Sequence, residues 1–323
     1  MSIDVKFWGT RGSIPRPQSR EQIEAQIEAV LNAATPADIA NRESVRAFIA
    51  SGANESLPTI YGGNTACVQV SEPSGPSLLI DFGSGAREYA AEVMRTTGPV
   101  AAEPYHVLMS HFHWDHIMGF PFFMPAYIPG NVIHIYSCHD NVEECFRRQH
   151  GAPSFPVPFD VLGAEINFHI IEPDTDLEIN GYKVRAHELN HAGRAFGFRV
   201  ERAGTVTVYA SDAEHKPEMI SDGYPYVDFI RGADVLIFDA QYSLAEATSV
   251  KEDWGHSSNV VGVELALMGD VRHLVFFHHE PLNNDERLDQ IVREARRIEE
   301  IMRRERAPLE VSGAYDGLVL TLG

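Results

Sequence analysis

The densest chemistry in the chain lies in Leu108-Met109-Ser110-His111-Phe112-His113-Trp114-Asp115-His116-Ile117-Met118-Gly119. Four potential metal ligands occupy the six positions 111–116, directly after an apolar run that reads as a strand. Side chains two apart in extended backbone point the same way, so His111 and His113 can converge on one ion. Asp115 and His116 follow at the entry to an expected helix and can serve a second ion a few ångströms away. Imidazole and carboxylate together suit zinc, with manganese and iron as alternatives. The bland reading, a histidine-rich surface loop, accounts poorly for four ligands crowded at a strand end.

Such a loop needs a scaffold, and the rest of the chain supplies one. Apolar patterning predicts a strand at the start (Val5-Lys6-Phe7-Trp8) and further strands at 65–71, 78–82, 105–109, 132–136, 166–171, 182–187, 196–201, 205–210, 234–238, 273–277 and 315–321. Helices are expected near 86–95, 117–122, 140–149, 259–268 and 284–304. Enough strands for two sheets, with helices interspersed, predict a layered α/β sandwich. Residues 19–51 break this rhythm. Ile23, Ile27, Val30 and Leu31 fall at helical spacing, and Thr35-Pro36 reads as a cap followed by proline at a first helical position. A second helix would then carry Ile39, Val45, Phe48 and Ile49. The pair is expected to be an inserted helical hairpin that covers the site, forms a homodimer contact, or packs peripherally. With no internal repeat, low-complexity block or linker, one domain spanning 1–323 is expected.

Composition narrows the partners. Apolar residues make up 44% of the chain, as in a globular protein with a sizeable core. No stretch approaches the roughly 18–20 apolar residues of a membrane span. The N-terminus lacks the basic and apolar blocks of a secretory signal. Cys67, Cys138 and Cys145 form no disulfide pattern, which fits a reducing, cytoplasmic setting. Twenty-six basic against 46 acidic residues give a net charge of −20, which opposes binding of a nucleic acid. The run Arg293–Arg306 is interleaved with glutamates and reads as a solvated helix face. A small anionic substrate stays compatible, because bound metal ions reverse the local field.

His111, His113, Asp115 and His116 resemble the signature of the metallo-β-lactamase superfamily, which implies a four-layer αββα sandwich. Other segments match its pattern in order. Asp81, in Leu78-Leu79-Ile80-Asp81-Phe82-Gly83-Ser84-Gly85, resembles the family's structural aspartate, which braces the metal loop. His191, in Leu189-Asn190-His191-Ala192-Gly193, resembles its third metal motif. Asp212, in Tyr209-Ala210-Ser211-Asp212, resembles its bridging carboxylate. Leu274-Val275-Phe276-Phe277-His278-His279-Glu280-Pro281 resembles its last histidine motif, with His278 preferred to His279 as ligand. The resemblance implies one ion held by His111, His113, His191 and Asp212, and another held by Asp115, His116, His278 and Asp212. Taken alone, His191 or Asp212 would more often be an ordinary loop residue or cap, a reading that their order and strand-end positions after the first motif reverse.

The segment Phe7-Trp8-Gly9-Thr10-Arg11-Gly12-Ser13, then Gly62-Gly63-Asn64-Thr65-Ala66-Cys67 and Gly255-His256-Ser257-Ser258, are similar to the ribonuclease Z and cyclic-phosphate phosphodiesterase branch. That implies a proton-donating role for His256 and an orienting role for Asp239, in Ile237-Phe238-Asp239-Ala240. No cysteine neighbours Asp212, unlike β-lactamases of this fold with a cysteine ligand. There is also no glycine-rich basic arm of the kind ribonuclease Z uses to grip tRNA. The implied chemistry is hydrolysis of a phosphodiester, a cyclic nucleotide or a sugar cyclic phosphate, by water activated between two divalent ions, with Asp115 orienting the nucleophile or taking its proton. The rival readings are a ribonuclease, a lactone or thioester hydrolase, and an inert sensor. Trp114, Phe120, Phe122, Phe123 and Tyr127 are placed to stack on a base or to pack the core. Arg11 is placed to reach a phosphate or to form a surface salt bridge.

Overall fold

A computed structural model describes residues 2–50, 59–216, 219–221, 223–242 and 253–323. Alternation along β1 (Ile3–Gly9) buries every second residue, the period of a strand with one face on a core. The same logic builds β2 (Cys67–Ser71), β3 (Ser77–Ile80), β4 (Tyr105–Met109), β5 (Val132–Ser137) and β6 (Glu165–Ile170). Then come β7 (Asp176–Ile179), β8 (Tyr182–Leu189), β9 (Ala195–Arg202), β10 (Thr205–Ala210), β11 (Val235–Asp239), β12 (His273–Phe277), β13 (Glu310–Gly313) and β14 (Val319–Leu322). Two seven-stranded sheets result, ordered β14-β1-β2-β3-β4-β5-β6 and β13-β12-β11-β10-β9-β8-β7. In the first, β14 to β3 pair antiparallel and β3 to β6 parallel. In the second, β7 to β10 pair antiparallel and β10 to β13 parallel.

Three apolar layers separate four structural ones. Between the sheets, Val5, Phe7, Val68, Ile80 and Leu108 meet Val184, Phe198, Ile237 and Val275. On the outer face of the first sheet lie α3 (Gly85–Thr97), after the chain's first two helices, α1 (Arg20–Ala33) and α2 (Arg42–Ala50), and α5 (Val142–Gln149), after the short α4 (Trp114–Ile117). Tyr89 and Phe146 there pack on Val107, Ile133 and Ile135. On the outer face of the second sheet lie α6 (Pro225–Ile230), α7 (Asn259–Met268) and α8 (Asp285–Met302), where Ile230, Leu265 and Leu288 pack on Leu236, Phe238 and Phe276. Strand β11 shows why its sequence is apolar throughout. Leu236 and Phe238 face helices, Val235 and Ile237 face the other sheet, and all five of its residues are buried.

Several expectations need correction. Thr35 does not cap a helix: its N–H and hydroxyl both donate to Asp38 Oδ2 (2.9 and 2.7 Å) in a turn. The second helix of the hairpin starts at Arg42, where Asn41 Oδ1 accepts from the Glu43 and Ser44 amides (2.9 and 3.0 Å), so Ile39 stays outside it. Ser51, the end of the expected hairpin, lies outside the described residues. The helix expected near 117–122 is only the four-residue α4 followed by a 3₁₀ turn at Phe120–Phe122, because the Gly119 N–H turns away to Phe82 O (2.7 Å) and Pro121 has no N–H to give. The single strand expected at 315–321 is replaced by β13, a turn through Gly317 at φ 92°, and β14. Neither β7 nor α6 was anticipated. Helix α1 buries none of its residues and leaves Ile23, Ile27 and Leu31 exposed. Among the described residues, no helix is long and apolar enough to cross a membrane.

Candidate metal centre

The donor residues gather where strands of both sheets end. His111 to His116 follow β4, His191 follows β8, Asp212 follows β10 and His278 follows β12. Asp212 and His278 take left-handed backbone angles (φ 59° and 55°), uncommon for residues other than glycine, which turn their side chains inward. His111, His113, His191 and Asp212 form one group of converging ligand atoms, and Asp115, His116 and His278 a second.

Distances within the groups suit a shared ion. His191 Nε2 lies 3.1 Å from His113 Nδ1 and 3.7 Å from Asp212 Oδ2, and His111 Nε2 lies 3.6 Å from Asp212 Oδ2. In the second group, His278 Nε2 is 2.9 Å from Asp115 Oδ2 and 3.3 Å from His116 Nε2, and His116 Nε2 is 3.5 Å from Asp115 Oδ2. Ligand atoms about 2.0–2.1 Å from a tetrahedral ion stand about 3.3 Å apart, close to these separations. Asp212 also borders the second group: Oδ1 is 3.3 Å from His116 Nε2, Oδ2 is 3.4 Å from His278 Nε2, and its ligand atoms cluster with those of His256 and His278. His111 Nε2 is buried with no hydrogen-bond partner among the described residues, as expected of an atom reserved for an ion. Burial and the neighbouring His116 hold the His111 imidazole well below its ordinary pKa. Burial resists charge on Asp212, but His278, His116 and His111 outweigh it and keep the carboxyl well below the usual range. The donor set therefore fits divalent metal.

Hydrogen bonds on the far side of two of the rings fix which nitrogen turns to the centre. His116 Nδ1 lies 2.7 Å from Asp81 Oδ2; an ionised carboxylate only accepts, so the proton sits on Nδ1 and Nε2 faces the centre. Asp81, fully buried with φ 63°, also accepts the Ser110 N–H (2.8 Å), the Ser110 hydroxyl (2.6 Å) and the Tyr209 hydroxyl (2.8 Å). His191 Nδ1 donates to the Gly255 carbonyl (2.9 Å). Asp115 Oδ2 accepts the Ser13 N–H at 2.6 Å. Ser13 was not foreseen, because a backbone amide leaves no side-chain signal. Ser110 and Tyr209 were also missed, and only their places beside His111 and before Asp212 hinted at them. His279 turns away, with Nε2 2.8 Å from Ala314 O, and is buried against Tyr61.

His256 stands beside both groups, its ring stacked on His278 (centroids 5.1 Å apart, planes 22°) and near His191 (5.3 Å). Its Nδ1 donates to Asp239 Oδ2 at 2.6 Å, and Asp239 Oδ1 accepts the Gln241 N–H at 3.1 Å. Burial opposes charge on His256, yet Asp239 outweighs it and lifts the pKa to about 9. Arg11 reaches neither solvent nor the centre. Its guanidinium is buried and donates to Gly62 O (3.1 Å), Asn283 O (2.9 Å) and Asp285 Oδ1 (3.1 Å), which corrects both readings given to it. The aromatics divide. Phe120 and Phe123 pack on Phe82 in the core, Tyr127 donates its hydroxyl to Pro121 O (2.6 Å), and Trp114 and Phe122 are exposed.

The model of the beta-lactamase superfamily domain matches residues 77–279, well over half of the chain and every donor of both groups. The chain belongs to this superfamily. With its His/Asp cluster, this member of the beta-lactamase superfamily is a metal-dependent hydrolase. The ribonuclease Z of Staphylococcus carnosus strain TM300 is 23% identical over 228 residues, covering 68% of this chain and 67% of that one. The chain spans about half the length of other staphylococcal ribonucleases Z it matches. Two solved structures share the superfamily's four-layer fold. The metallo-β-lactamase fold protein YhfI of Bacillus subtilis aligns with TM-score 0.64 and 16% identity, covering 99% of each chain. A diphosphatase of the PhnP family aligns with TM-score 0.59 and 18% identity, covering 98% of this chain and 97% of the other.

Proposed function

We propose that this superfamily member hydrolyses a small-molecule phosphodiester, a cyclic nucleotide or sugar cyclic phosphate, at a centre of two divalent ions. Zinc is the first choice, with manganese and iron as alternatives. His111, His113, His191 and Asp212 would hold one ion, and Asp115, His116, His278 and Asp212 the other. The observation that carries this reading is Asp212, which presents one oxygen to His116 and the other to His278, His111 and His191. Ions held there would supply Lewis acidity, for a water nucleophile and for charge on the non-bridging phosphoryl oxygens.

The chain's own groups do the rest. Asp115, oriented by the Ser13 amide, aligns the attacking water and takes its proton. As the new P–O bond forms and the bond to the sugar oxygen breaks, the departing oxygen takes a proton from His256 Nε2, while Asp239 keeps the other ring nitrogen protonated. The three cysteines are unpaired, in keeping with the reducing, cytoplasmic setting of this reading.

A ribonuclease is the second reading, and the likeness to ribonuclease Z leaves the sequence-based argument against nucleic acid without support. The deciding experiment takes protein with its metals quantified and offers bis(p-nitrophenyl) phosphate, cyclic nucleotides, short RNA and a lactone. Cleavage of a cyclic nucleotide is expected, reduced about 10²–10⁴-fold by His256→Ala with metal content intact. Salt-sensitive cleavage of RNA alone would establish the nuclease, and cleavage of the lactone alone would overturn the phosphodiester reading.

A further inference from the structure

One buried carboxylate beside the centre has no part in the chemistry above. Glu214 follows Asp212 by two residues and is 7% exposed. Its Oε1 accepts the Asp253 N–H at 3.0 Å and its Oε2 accepts the Gly255 N–H at 3.2 Å. Its backbone is held as well: the Glu214 N–H donates to Asn190 O (2.9 Å), and Asn190 Nδ2 donates to Glu214 O (3.0 Å). Asn190 precedes His191 and Gly255 precedes His256, so this residue is bonded to the segments carrying both imidazoles.

The contacts beyond it transmit position. The Gly255 carbonyl accepts from His191 Nδ1. Gly255 has φ +83°, and a Cβ there would fall 2.2 Å from His191 Nδ1, so the ring lies against bare backbone. The Ser257 hydroxyl donates to Ala213 O (2.6 Å) and accepts the His215 N–H (3.1 Å), while Lys216 pairs with the Asp253 carboxylate. A buried carboxylate is unfavourable unless N–H groups are aimed at it, and two backbone amides of one short loop are aimed at this one.

We propose that Glu214 is the positioning residue of the centre. Its carboxylate fixes the loop 253–257, so that the Gly255 carbonyl keeps the His191 proton on Nδ1 and Nε2 free for an ion, and His256 is held at the departing oxygen. The His256 half rests on the phosphodiester reading; the His191 half rests only on the donor set. The experiment compares Glu214→Gln, which turns an amide NH₂ toward a backbone N–H, with Glu214→Asp, which keeps both acceptors on a shorter arm. Each is assayed on bis(p-nitrophenyl) phosphate, whose leaving group needs no proton, and on a cyclic nucleotide, whose leaving oxygen does. The ratio of the two turnover numbers is independent of how much protein is folded.

For Glu214→Gln the ratio of cyclic-nucleotide to nitrophenyl turnover is expected to fall about 10-fold or more, with KM changed under about threefold. Glu214→Asp is expected to recover part of the ratio. Zinc affinity, read by chelator competition without substrate, is expected to weaken about 10–100-fold for one of two equivalents. An unchanged ratio overturns the His256 half, and unchanged affinity for both equivalents overturns the His191 half. If the wild type cleaves neither ester, the phosphodiester reading fails and zinc affinity alone decides the place of Glu214.

Discussion

Asp81→Asn separates the bracing of the centre from its ligands. Asp81 is fully buried and gathers four donors: the Ser110 amide on Oδ1, and the Ser110 hydroxyl, the Tyr209 hydroxyl and His116 Nδ1 on Oδ2. Alanine there would leave all four unpaired. At about 1–3 kcal/mol for each, the loss is roughly 4–12 kcal/mol, comparable with the whole stability of a domain, so that variant is not expected to fold. Asparagine keeps the volume and tolerates the left-handed backbone of residue 81. If its NH₂ replaces Oδ1, it confronts the Ser110 N–H, donor against donor. If it replaces Oδ2, its two hydrogens reach at most two of the three groups there, the hydroxyls rotating to accept, and the imidazole must give up its Nδ1 proton. That proton then moves to Nε2, the atom facing Asp212 and His278. Each arrangement keeps at most three of the four hydrogen bonds, but the first sets donor against donor at the fixed Ser110 amide, so the second is favoured and blocks a ligand. Loss of such an outer partner weakens metal binding about 10–100-fold, or about 1.4–2.7 kcal/mol. Zinc titration against a competing chelator, beside denaturant unfolding of metal-free protein, measures both effects. Zinc affinity within twofold of wild type, in a folded variant, would show that Asp81 does not set the His116 tautomer.

Three further outcomes follow from other contacts. Arg11→Ala leaves the Asp285 carboxylate and two carbonyls without their partner and is expected to cost about 3–5 kcal/mol in denaturant unfolding; a raised KM at unchanged stability would instead reveal phosphate binding. In metal-free protein, Asp239→Asn removes the anion that raises His256 to a pKa of about 9 from an ordinary 6.5. Because the folded value is raised, wild type holds its full advantage over the variant below pH 6.5 and loses it as pH rises through 9; a gap independent of pH would refute the coupling. On the proposed cyclic-nucleotide reading, Trp114, beside His113 and 77% exposed, would stack on the base. Trp114→Ala is expected to lower kcat/KM for a cyclic nucleotide by about 5–150-fold with stability nearly unchanged, whereas an equal loss on a base-free sugar cyclic phosphate would exclude stacking.

The sequence revealed the centre wherever side-chain type and strand ends coincide. His111-x-His113-x-Asp115-His116 sits at the end of β4, and the pattern of apolar runs located most strands of both sheets. Legibility ended where backbone groups or competing local bonds decide. The Ser13 amide on Asp115 and the Gly255 carbonyl on His191 belong to main chain that any residue carries. Thr35-Pro36 has the composition of a helix start, but Asp38 captures both Thr35 donors and Asn41 offers a better cap. Arg11 reads as a surface cation, because its partner Asp285 lies at the far end of the chain. With four and six residues, β7 and α6 are too short for periodicity to register.

The strand order explains why one aspartate braces while another is shared. Each sheet changes from antiparallel to parallel pairing at a single strand, β3 in the first and β10 in the second. In open sheets with parallel strands, sites gather at the carboxyl ends near such a switch. Asp81 directly follows β3 and Asp212 lies two residues beyond β10, both with left-handed φ (63° and 59°), so the two are counterparts. Their surroundings divide the roles. Oδ2 of Asp81 is already filled by the Ser110 hydroxyl, the Tyr209 hydroxyl and His116 Nδ1, which leaves no lone pair for an ion. Asp212 accepts the Ser211 hydroxyl on Oδ1, faces His116 Nε2 with the same oxygen, and turns Oδ2 toward His111, His191 and His278. The equivalent turn on each sheet thus yields a brace where donors converge and a shared ligand where bare nitrogens converge.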